Sequence, residues 1–436
     1  MVGAAAALGA LGCGDNEPGL LTDLDGGVDP LPLDASAVAT AFEVTDTGAL
    51  IWAYAKKPRW AAVVIEHLAD GGAAASMPFE LAPEAARTGW IELVGLAPDR
   101  DYRYHVRFDN GRSTGWQQLR TAPAPDADAD VTFLFSADID TNPEFDSPIQ
   151  ATMAQSEAAF YLSLGDWPYA DNAPGAMTLI DYHERHRIAR TDDRARGLVA
   201  ALPVYAIYDD HEVRNDWDAY FRAGEPDRIA AGIAAWDAWF PLRRDPDGPR
   251  YRRVQWGRHL DIFILDTRLY RSANRDPDGP DKTMLGAAQK QWLIDSVMRS
   301  NATFKLIGTS VPLGFGNTED HWNVFASERD EILSALGYGA GDAPQLPGVV
   351  FLTADQHWFA AHHLDAGAIE WQVGPIARGL PDPSTLPPLV PEVVARTIAY
   401  NYGEITITGG TAPSMTLVCR DENGDEIYRE TIDAPG

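Results

Sequence analysis

PVYAIYDDHE, residues 203–212, decides the fold class of this chain, because an apolar run of strand length stops abruptly at two aspartates, a histidine and a glutamate. Four other apolar runs end in the same way. They are VTFLF before residues 136–140, FYLSL before 165–169, DIFIL before 266–268 and GVVFLT before 354–357. Nearly continuous apolar strands are typical of buried sheets, and ligands of α/β sheets collect at the carboxyl ends of strands. The sequence therefore predicts an α/β fold with one site built from several strand ends.

The side chains at these strand ends indicate bound cations. They are Asp138, Asp140, Asp166, Asp209, Asp210, Asp355 and His357. Carboxylates gathered at one edge of a sheet repel one another unless cations neutralise them. Oxygen ligands with a little imidazole suit iron, manganese, magnesium or calcium better than structural zinc. Two metal ions about 3.5–4 Å apart are a common device for phosphoester hydrolysis. For any single aspartate, the alternative is a helix cap or a turn former.

Composition narrows the class of protein further. The chain has 436 residues, enough for two or three domains, and a formal net charge of −29, which argues against a nucleic-acid-packaging role. A hydrophobic content of 45% with 13 tryptophans excludes global disorder. Two cysteines exclude a disulfide scaffold and a four-cysteine zinc site. No apolar run is long enough to predict a transmembrane helix.

The first folded region is predicted over residues 36–125, where short apolar runs alternate with turn signals. This spacing is typical of an antiparallel β-sandwich. Residues 96–106 resemble the fibronectin type III pattern around a tyrosine corner, in which the Tyr102 hydroxyl would bond back to the backbone near Leu96. A Pro- and Asp-rich linker, residues 122–130, then leads to the second domain, residues 131–436.

Residues 1–35 are expected to be a leader and an acidic tether. Residues 2–12 are small and apolar, and Cys13 follows them in the position of the lipidated cysteine of a bacterial lipoprotein. No basic residue precedes this run, and the alternative is an Ala/Gly-rich tail. The expectation is an exported protein, periplasmic or at the cell surface, with a peripheral membrane tether through Cys13.

The order of the strand-end motifs is similar to that of the calcineurin-like metallophosphoesterases. More narrowly, it resembles the PhoD-type alkaline phosphatase and phosphodiesterase family. The stretches that carry this resemblance are residues 208–217, 265–271, 284–293, 321–333 and 353–361. A leading fibronectin-like domain belongs to the same family. The resemblance implies a four-layer sandwich of two mixed sheets between helices, with metal ions at the strand ends.

The resemblance also implies the metal ligands. They are Asp138, Asp166, Tyr169, Asp210, Asp355 and His357. Asp166 matches the aspartate that bridges two metals, and Tyr169 matches the phenolate ligand of ferric iron, with a packed aromatic ring as its alternative. The implied cofactors are Fe³⁺ with Ca²⁺, and Mn²⁺ or Zn²⁺ are alternatives. The family commonly has a cysteine where this chain has Asp138, and an oxygen there should weaken the preference for soft metals.

The expected catalytic residues are Asp166 and His211, and His211 matches the histidine that meets the leaving group. Asn215 and Arg268 are candidates for holding phosphate oxygens, since arginine presents a planar fork to phosphate. The roles of Asp140 and Asp209 stay open between metal ligand, partner of a ligand and cap. The role of Glu212 stays open too, and Glu212 or Asp209 could tune the pKa of His211. His183 and His186 lie in a charged stretch and are expected on the solvent face of a helix.

The expected function is a metal-dependent phosphoester hydrolase, acting as a monomer on phosphomonoesters or phosphodiesters through a hydroxide activated by two metals. One alternative is a phospholipase D-like hydrolase of lipid head groups, which a surface-tethered protein could reach. Another is a non-catalytic surface binding protein on the same fold. The intact set Asp166, Asp210, His211 and His357 speaks against that last alternative.

Overall fold

The computed structural model describes residues 5–7, 29–69, 71–314, 319–339, 344–364 and 367–434. Cys13 and most of the predicted leader and tether, residues 1–35, lie outside these residues. Among the helices described, none combines the length and the apolar character needed to cross a membrane.

Strands predominate in the described chain. They are β1 (Ala5–Ala7), β2 (Val38–Phe42), β3 (Gly48–Tyr54), β4 (Trp60–His67), β5 (Ala73–Ala75), β6 (Phe79–Glu80), β7 (Thr88–Val94), β8 (Asp101–Phe108), β9 (Gln117–Arg120), β10 (Val131–Ser136), β11 (Tyr161–Ser163), β12 (Val204–Ala206), β13 (Arg252–Trp256), β14 (Leu260–Ile264), β15 (Phe304–Gly308), β16 (Val349–Thr353), β17 (Phe359–His363), β18 (Ile369–Gln372), β19 (Val393–Thr397), β20 (Asn401–Thr408), β21 (Ser414–Asp421) and β22 (Glu426–Asp433). The helices are α1 (Ile149–Met153), α2 (Leu179–Thr191), α3 (Asp193–Ala201), α4 (Ala219–Gly224), α5 (Pro226–Trp239), α6 (Gly286–Arg299) and α7 (Ala326–Ala335).

The larger sheet has ten strands in the order β1-β7-β3-β2-β12-β11-β10-β20-β21-β22. β10, β11 and β12 are parallel neighbours, and Ser163 pairs with both Ser136 and Ala206. The last residues of these three strands therefore lie side by side, so the loops that follow them emerge at one edge. β20, β21 and β22 extend the sheet as antiparallel strands.

The second sheet has seven strands in the order β13-β14-β15-β16-β18-β17-β19. β14, β15, β16 and β18 run parallel, and the remaining strands pair antiparallel. Both sheets are thus mixed, and the predicted α/β fold of mixed sheets and helices is confirmed.

Side chains of the second sheet alternate between two cores, as the period of two in a strand requires. Ile262, Leu306 and Leu352 belong to the large core that also contains residues of the ten-stranded sheet. Phe263 and Phe351, on the opposite face, belong to a second core. Leu293 and Val297 of α6 and Ile332 of α7 complete that second core. The second sheet is therefore buried on both faces, which explains its continuous apolar runs.

The region predicted as a β-sandwich contributes strands to two sheets. β7, β3 and β2 are antiparallel and belong to the ten-stranded sheet, while β5, β4, β8 and β9 form a separate antiparallel sheet. The Tyr102 hydroxyl accepts a hydrogen bond from the Ala97 N–H at 2.9 Å, so the predicted bond to the backbone near Leu96 is confirmed. Phe42 of β2 pairs in parallel with Val204 of β12, so the larger sheet runs across the predicted domain boundary.

The expectation that His183 and His186 face solvent was wrong. The stretch is helical, as α2, but both histidines are buried. The indole N–H of Trp239 donates to His183 Nδ1 at 3.1 Å, and the His186 ring stacks on Trp239 at 6.0 Å. The buried positions of α2 recur every three or four residues, and the charged residues between them occupy the other face.

Candidate metal centre

The carboxyl ends of strands from both sheets meet at one acidic site. Asp138 and Asp166 follow β10 and β11, Asp210 follows β12, and Asp355 and His357 follow β16. Three groups of these residues have ligand atoms within 4.8 Å of one another. They are Asp138 with Asp166 and His357, Asp166 with Asp210 and His211, and Asp209 with Asp210 and Asp355. Asp166 and Asp210 each belong to two of these groups, so the groups form one continuous site.

Several of these residues have left-handed backbone conformations. The φ angles are 64° at Asp138, 58° at Asp166, 76° at Asp355 and 59° at His357. Such conformations cluster at functional sites, where the surrounding structure holds them in place. Here they turn each side chain into the site directly after its strand.

Two glycines let neighbouring chain segments approach these turns closely. A Cβ on Gly165 would lie 2.6 Å from Asp209 Cβ, and a Cβ on Gly374 would lie 2.4 Å from Asp138 Oδ2. Both glycines also have positive φ angles, 120° and 104°. Any larger residue would displace the carboxylate beside it.

The His357 ring is oriented by a hydrogen bond to the backbone carbonyl of Gly379. Its Nδ1 lies 2.9 Å from the Gly379 carbonyl oxygen, so Nδ1–H donates and the Nε2 lone pair faces the site. His357 Nε2 lies 3.0 Å from the Tyr169 hydroxyl and 3.8 Å from Asp138 Oδ1. Burial lowers the pKa of His357 to about 4, which keeps the ring neutral. A neutral imidazole with an oriented lone pair is suited to bind a metal ion.

Three buried carboxylate oxygens at this site have no hydrogen-bond partner among the described residues. They are Asp138 Oδ2, Asp166 Oδ2 and Asp210 Oδ1. Burial, followed by the charges of neighbouring carboxylates, holds the pKa of Asp138 and of Asp166 well above its usual range. Burying an unpaired carboxylate is costly, whereas a cation bound between these oxygens would remove the cost. These residues therefore fit metal ions.

His211 is held by a carboxylate that the sequence analysis missed. Its Nδ1 lies 2.8 Å from Asp171 Oδ1, and Asp171 Oδ2 accepts the Asn215 N–H at 2.8 Å. Burial alone would lower the pKa of His211, but the charges of Asp210 and Asp171 and the hydrogen bond to Asp171 raise it to about 9. Asp171 lies two residues after Tyr169, and that proximity was the only sequence signal for it.

Two of the three residues with open roles, Glu212 and Asp140, hold neighbouring groups in place. Glu212 accepts the N–H groups of Trp167 at 2.9 Å and Asp209 at 3.0 Å, so it ties two strand-end loops together. Asp140 accepts hydrogen bonds from Asn172 and Arg378, both at 2.8 Å. Sequence reasoning did not single out Arg378.

Arg268 lies between two carboxylates and is fully buried. Its Nε and Nη2 donate to Asp209 at 2.6 and 2.9 Å, and its Nη1 and Nη2 donate to Asp320 at 2.8 and 2.6 Å. This differs from the expected free fork, because phosphate binding would require these ion pairs to break. Asn215, the other predicted phosphate ligand, is exposed beside Asp171.

The far side of the site contains two further residues to which the sequence analysis gave no role. His321 Nε2 lies 2.8 Å from Asp355 Oδ2 and orients that carboxylate. Burial alone would raise the pKa of Asp355. The hydrogen bond and the charge of His321 outweigh burial and bring this pKa below its usual range. Asp320 accepts from Arg271 as well as from Arg268, which ties its own carboxylate to two arginines.

Comparison with known proteins identifies the family of this chain. The family model described as PhoD-like phosphatase matches residues 146–402, more than half of the chain. The chain belongs to the PhoD-like phosphatase family. Asp166, His211 and His357 fall inside the matched range of this PhoD-like phosphatase, whereas Asp138 precedes it.

A curated relative of this PhoD-like phosphatase is alkaline phosphatase D of Bacillus subtilis (strain 168). It is 27% identical over an alignment of 332 residues, and the match covers 65% of this chain and 56% of that protein. The match therefore spans little more than half the length of that relative.

Two solved structures share the fold. The structure of PhoD has a TM-score of 0.78 at 19% identity and covers 92% of both chains. Purple acid phosphatase PPD1 from yellow lupin (Lupinus luteus) seeds has a TM-score of 0.65 at 14% identity, covering 91% of this chain and 74% of that one. At these identities the likeness concerns the fold of this PhoD-like phosphatase alone.

Proposed function

We propose that this protein is a metal-dependent phosphoester hydrolase that acts on phosphodiesters or phosphomonoesters. The observation that carries the proposal is the set of three buried carboxylate oxygens without hydrogen-bond partners in the described structure, on Asp138, Asp166 and Asp210. Membership of the PhoD-like phosphatase family supports it independently.

The proposed ligands divide into two sets that share Asp166. Asp138, Tyr169 and His357 would hold one metal with Asp166, and Asp210 and Asp355 would hold the other. We propose Fe³⁺ with Ca²⁺, because an oxygen-rich set with one imidazole favours hard cations. Mn²⁺ and Zn²⁺ are the alternatives to test. When bound, such ions supply an acidified water as nucleophile and Lewis acidity toward phosphoryl oxygens.

The remaining chemistry belongs to the protein's own side chains. His211 would donate a proton from Nε2 to the leaving alkoxide, since Asp171 holds Nδ1 and favours the charged ring. Asn215 would orient the substrate with its exposed amide. Arg268 acts indirectly, because its ion pairs fix Asp209, which follows β12, and Asp320, which lies between β15 and α7.

We also propose a fibronectin III-like first region, a four-layer second domain, and an exported, tethered and monomeric protein. The two antiparallel sheets of residues 36–125 and the Tyr102 hydrogen bond support a fibronectin III-like assignment for that region. The helices α6 and α7 behind the second sheet support the four-layer arrangement. Export, the tether at Cys13 and a monomeric state rest on the sequence alone.

The first test is hydrolysis of bis-p-nitrophenyl phosphate and p-nitrophenyl phosphate by purified protein. We expect turnover that a chelator removes and that added iron and calcium restore. The ratio of the two rates distinguishes a diesterase from a monoesterase. No turnover with iron, calcium, manganese or zinc would contradict the proposal and favour a binding role.

The substitution Asp166→Asn tests the shared ligand. We expect it to abolish turnover and lower the metal content measured by elemental analysis, because Asp166 belongs to both ligand sets. Asp193→Asn is the control, since the Asp193 side chain is 99% exposed. A wild-type rate in Asp166→Asn would overturn the proposed mechanism.

A further inference from the structure

We propose that Arg378 binds the substrate, donating to a non-bridging phosphoryl oxygen, and that Asp140 is the positioning residue that directs it. This inference rests on the proposed function and adds a recognition residue to the same site. It identifies the guanidinium that can take the role which sequence reasoning gave to Arg268.

The backbone around Arg378 is attached to the candidate ligands on both sides. The Ala377 N–H donates to the Asp138 carbonyl oxygen at 3.0 Å, and the Gly379 carbonyl oxygen accepts from His357 Nδ1 at 2.9 Å. The position of Arg378 is therefore set by the residues that would hold the metal ion.

The Arg378 side chain lies over a candidate ligand. Its guanidinium carbon is 4.2 Å from the centroid of the Tyr169 ring, whose hydroxyl is 3.0 Å from His357 Nε2. Nη1 donates to Asp140 Oδ2 at 2.8 Å, and Asn172 donates to the same oxygen at 2.8 Å. The side chain is 24% exposed, so it reaches the open side of the site.

Arg378 has N–H donors that its contacts within the described chain leave unused. A guanidinium has five N–H donors, and the bond to Asp140 is the one hydrogen bond of Arg378 within the described chain. Arg268 and Arg271 are fully buried and tied to Asp320. Nε and Nη2 of Arg378 are thus available to form a planar fork for a phosphate.

The charge balance of the site favours this role. A phosphoester that enters must approach a ring of carboxylates, and the oxygens left over after metal binding still repel it. A partly buried cation at the open edge stabilises the negative oxygens and their developing charge. Asp140 fixes the direction of this cation because its Oδ2 accepts from Arg378 Nη1, and Asn172 donates to the same oxygen.

The test uses the metal-loaded full-length protein and its variants Arg378→Gln, Arg378→Lys and Asp140→Asn. We expect Arg378→Gln to raise KM for bis-p-nitrophenyl phosphate and the inhibition constant of inorganic phosphate about ten- to hundredfold, as the loss of a charge-assisted hydrogen bond predicts. Arg378→Lys keeps the charge without the fork, so its effect should be smaller. Asp140→Asn should raise KM and the phosphate inhibition constant less than Arg378→Gln does, because it releases the guanidinium without removing it.

Arg103→Gln is the matched control. Arg103 also stacks on an aromatic ring, at 4.2 Å from Trp116, and also pairs with a carboxylate, Glu66, at 2.6 Å. It lies in β8, in the separate sheet that does not carry the strand-end carboxylates. We expect its KM and its phosphate inhibition to equal those of the wild-type protein.

Further outcomes separate this inference from the proposed function. Metal content is measured for every variant, and a loss of metal in Arg378→Gln would show a structural role and overturn substrate binding. A fall in kcat at unchanged KM and unchanged phosphate inhibition would overturn it as well. If the wild-type protein has no turnover, the proposed function fails, and calorimetric titration with inorganic phosphate still decides whether Arg378 binds the anion.

Discussion

Two histidines of this site differ in the partner of Nδ1 and in the direction in which the pKa is shifted. Nδ1 of His357 donates to a backbone carbonyl, while Nδ1 of His211 faces the Asp171 carboxylate. Burial lowers the pKa of His357 to about 4, whereas for His211 the opposing effect of Asp210 and Asp171 outweighs burial and raises the pKa to about 9. A neutral ring is suited to a metal and a charged ring to proton donation.

The substitution Asp171→Asn tests the proton donor. Protonated His211 is present below its pKa and is lost as the pH rises through it, so activity on substrates with poor leaving groups should fall at alkaline pH. Removing the Asp171 charge should lower the pKa of His211 and move this alkaline limb to lower pH. The measurement is the pH profile of kcat with phenyl phosphate and p-nitrophenyl phosphate.

The two substrates provide an internal control for that experiment. A good leaving group needs little protonation, so p-nitrophenyl phosphate should be affected less. An alkaline limb that does not move, or an equal loss for both substrates, would count against His211 as the acid.

At the scale of the elements, the site depends on tight turns that follow parallel strands. β10, β11 and β12 end in register, and each is followed by a turn that directs a carboxylate into the site. The segment after β18 adds Gly374, which passes directly beside Asp138. The strands set where the ligands lie, and the glycines set how closely the neighbouring loops approach them.

Gly374→Ala tests this close approach. A Cβ there would meet Asp138 Oδ2 at 2.4 Å, so we expect lower metal content and lower turnover. The control is Gly410→Ala, which also has a positive φ angle, 84°, but has no atom within 4 Å of its added Cβ. Both should lose about 1 kcal/mol or more of unfolding free energy from the backbone strain. Equal metal contents in the two variants would contradict the argument.

At the scale of the whole molecule, residues 36–125 pack against the domain that contains the site. The fully buried Arg190 lies among the rings of Phe42, Trp52, Trp167 and Phe240, and donates to Thr40. These rings come from both sides of the predicted boundary, and Trp167 directly follows Asp166 in the chain. We therefore expect the two regions to unfold together.

Glu43→Gln tests this coupling, because Glu43 pairs with Arg252 of β13 across the boundary at 2.7 Å. The two side chains are only 7% and 12% exposed, so loss of one charge should cost about 3 kcal/mol or more of unfolding free energy. Glu80→Gln, in the exposed pair with Arg59, should cost at most about 1 kcal/mol. Calorimetry should show one transition in both variants, and two separate transitions would contradict the coupling.

Sequence patterns alone predicted the fold class, the family resemblance and the strand-end residues that meet in the site. Those features are local, since apolar runs, acidic turns and the spacing around Tyr102 can be read within a short window. His183 and His186 show the limit of such reading. Their charged neighbours suggested a solvent face, but α2 buries the face on which the histidines lie.

The partner of each polar residue depends on the tertiary structure. Arg378 meets Asp140 across 238 residues, Arg268 meets Asp209 across 59, and His211 meets Asp171 across 40. No pattern within one segment records these pairs, because a hydrogen bond depends on distances set by the packing of two sheets. The strand-end residues of the site could therefore be predicted from the sequence. The packing added Asp171 and Arg378 to them, and it decided which side chains hold each other and which remain to bind metal and substrate.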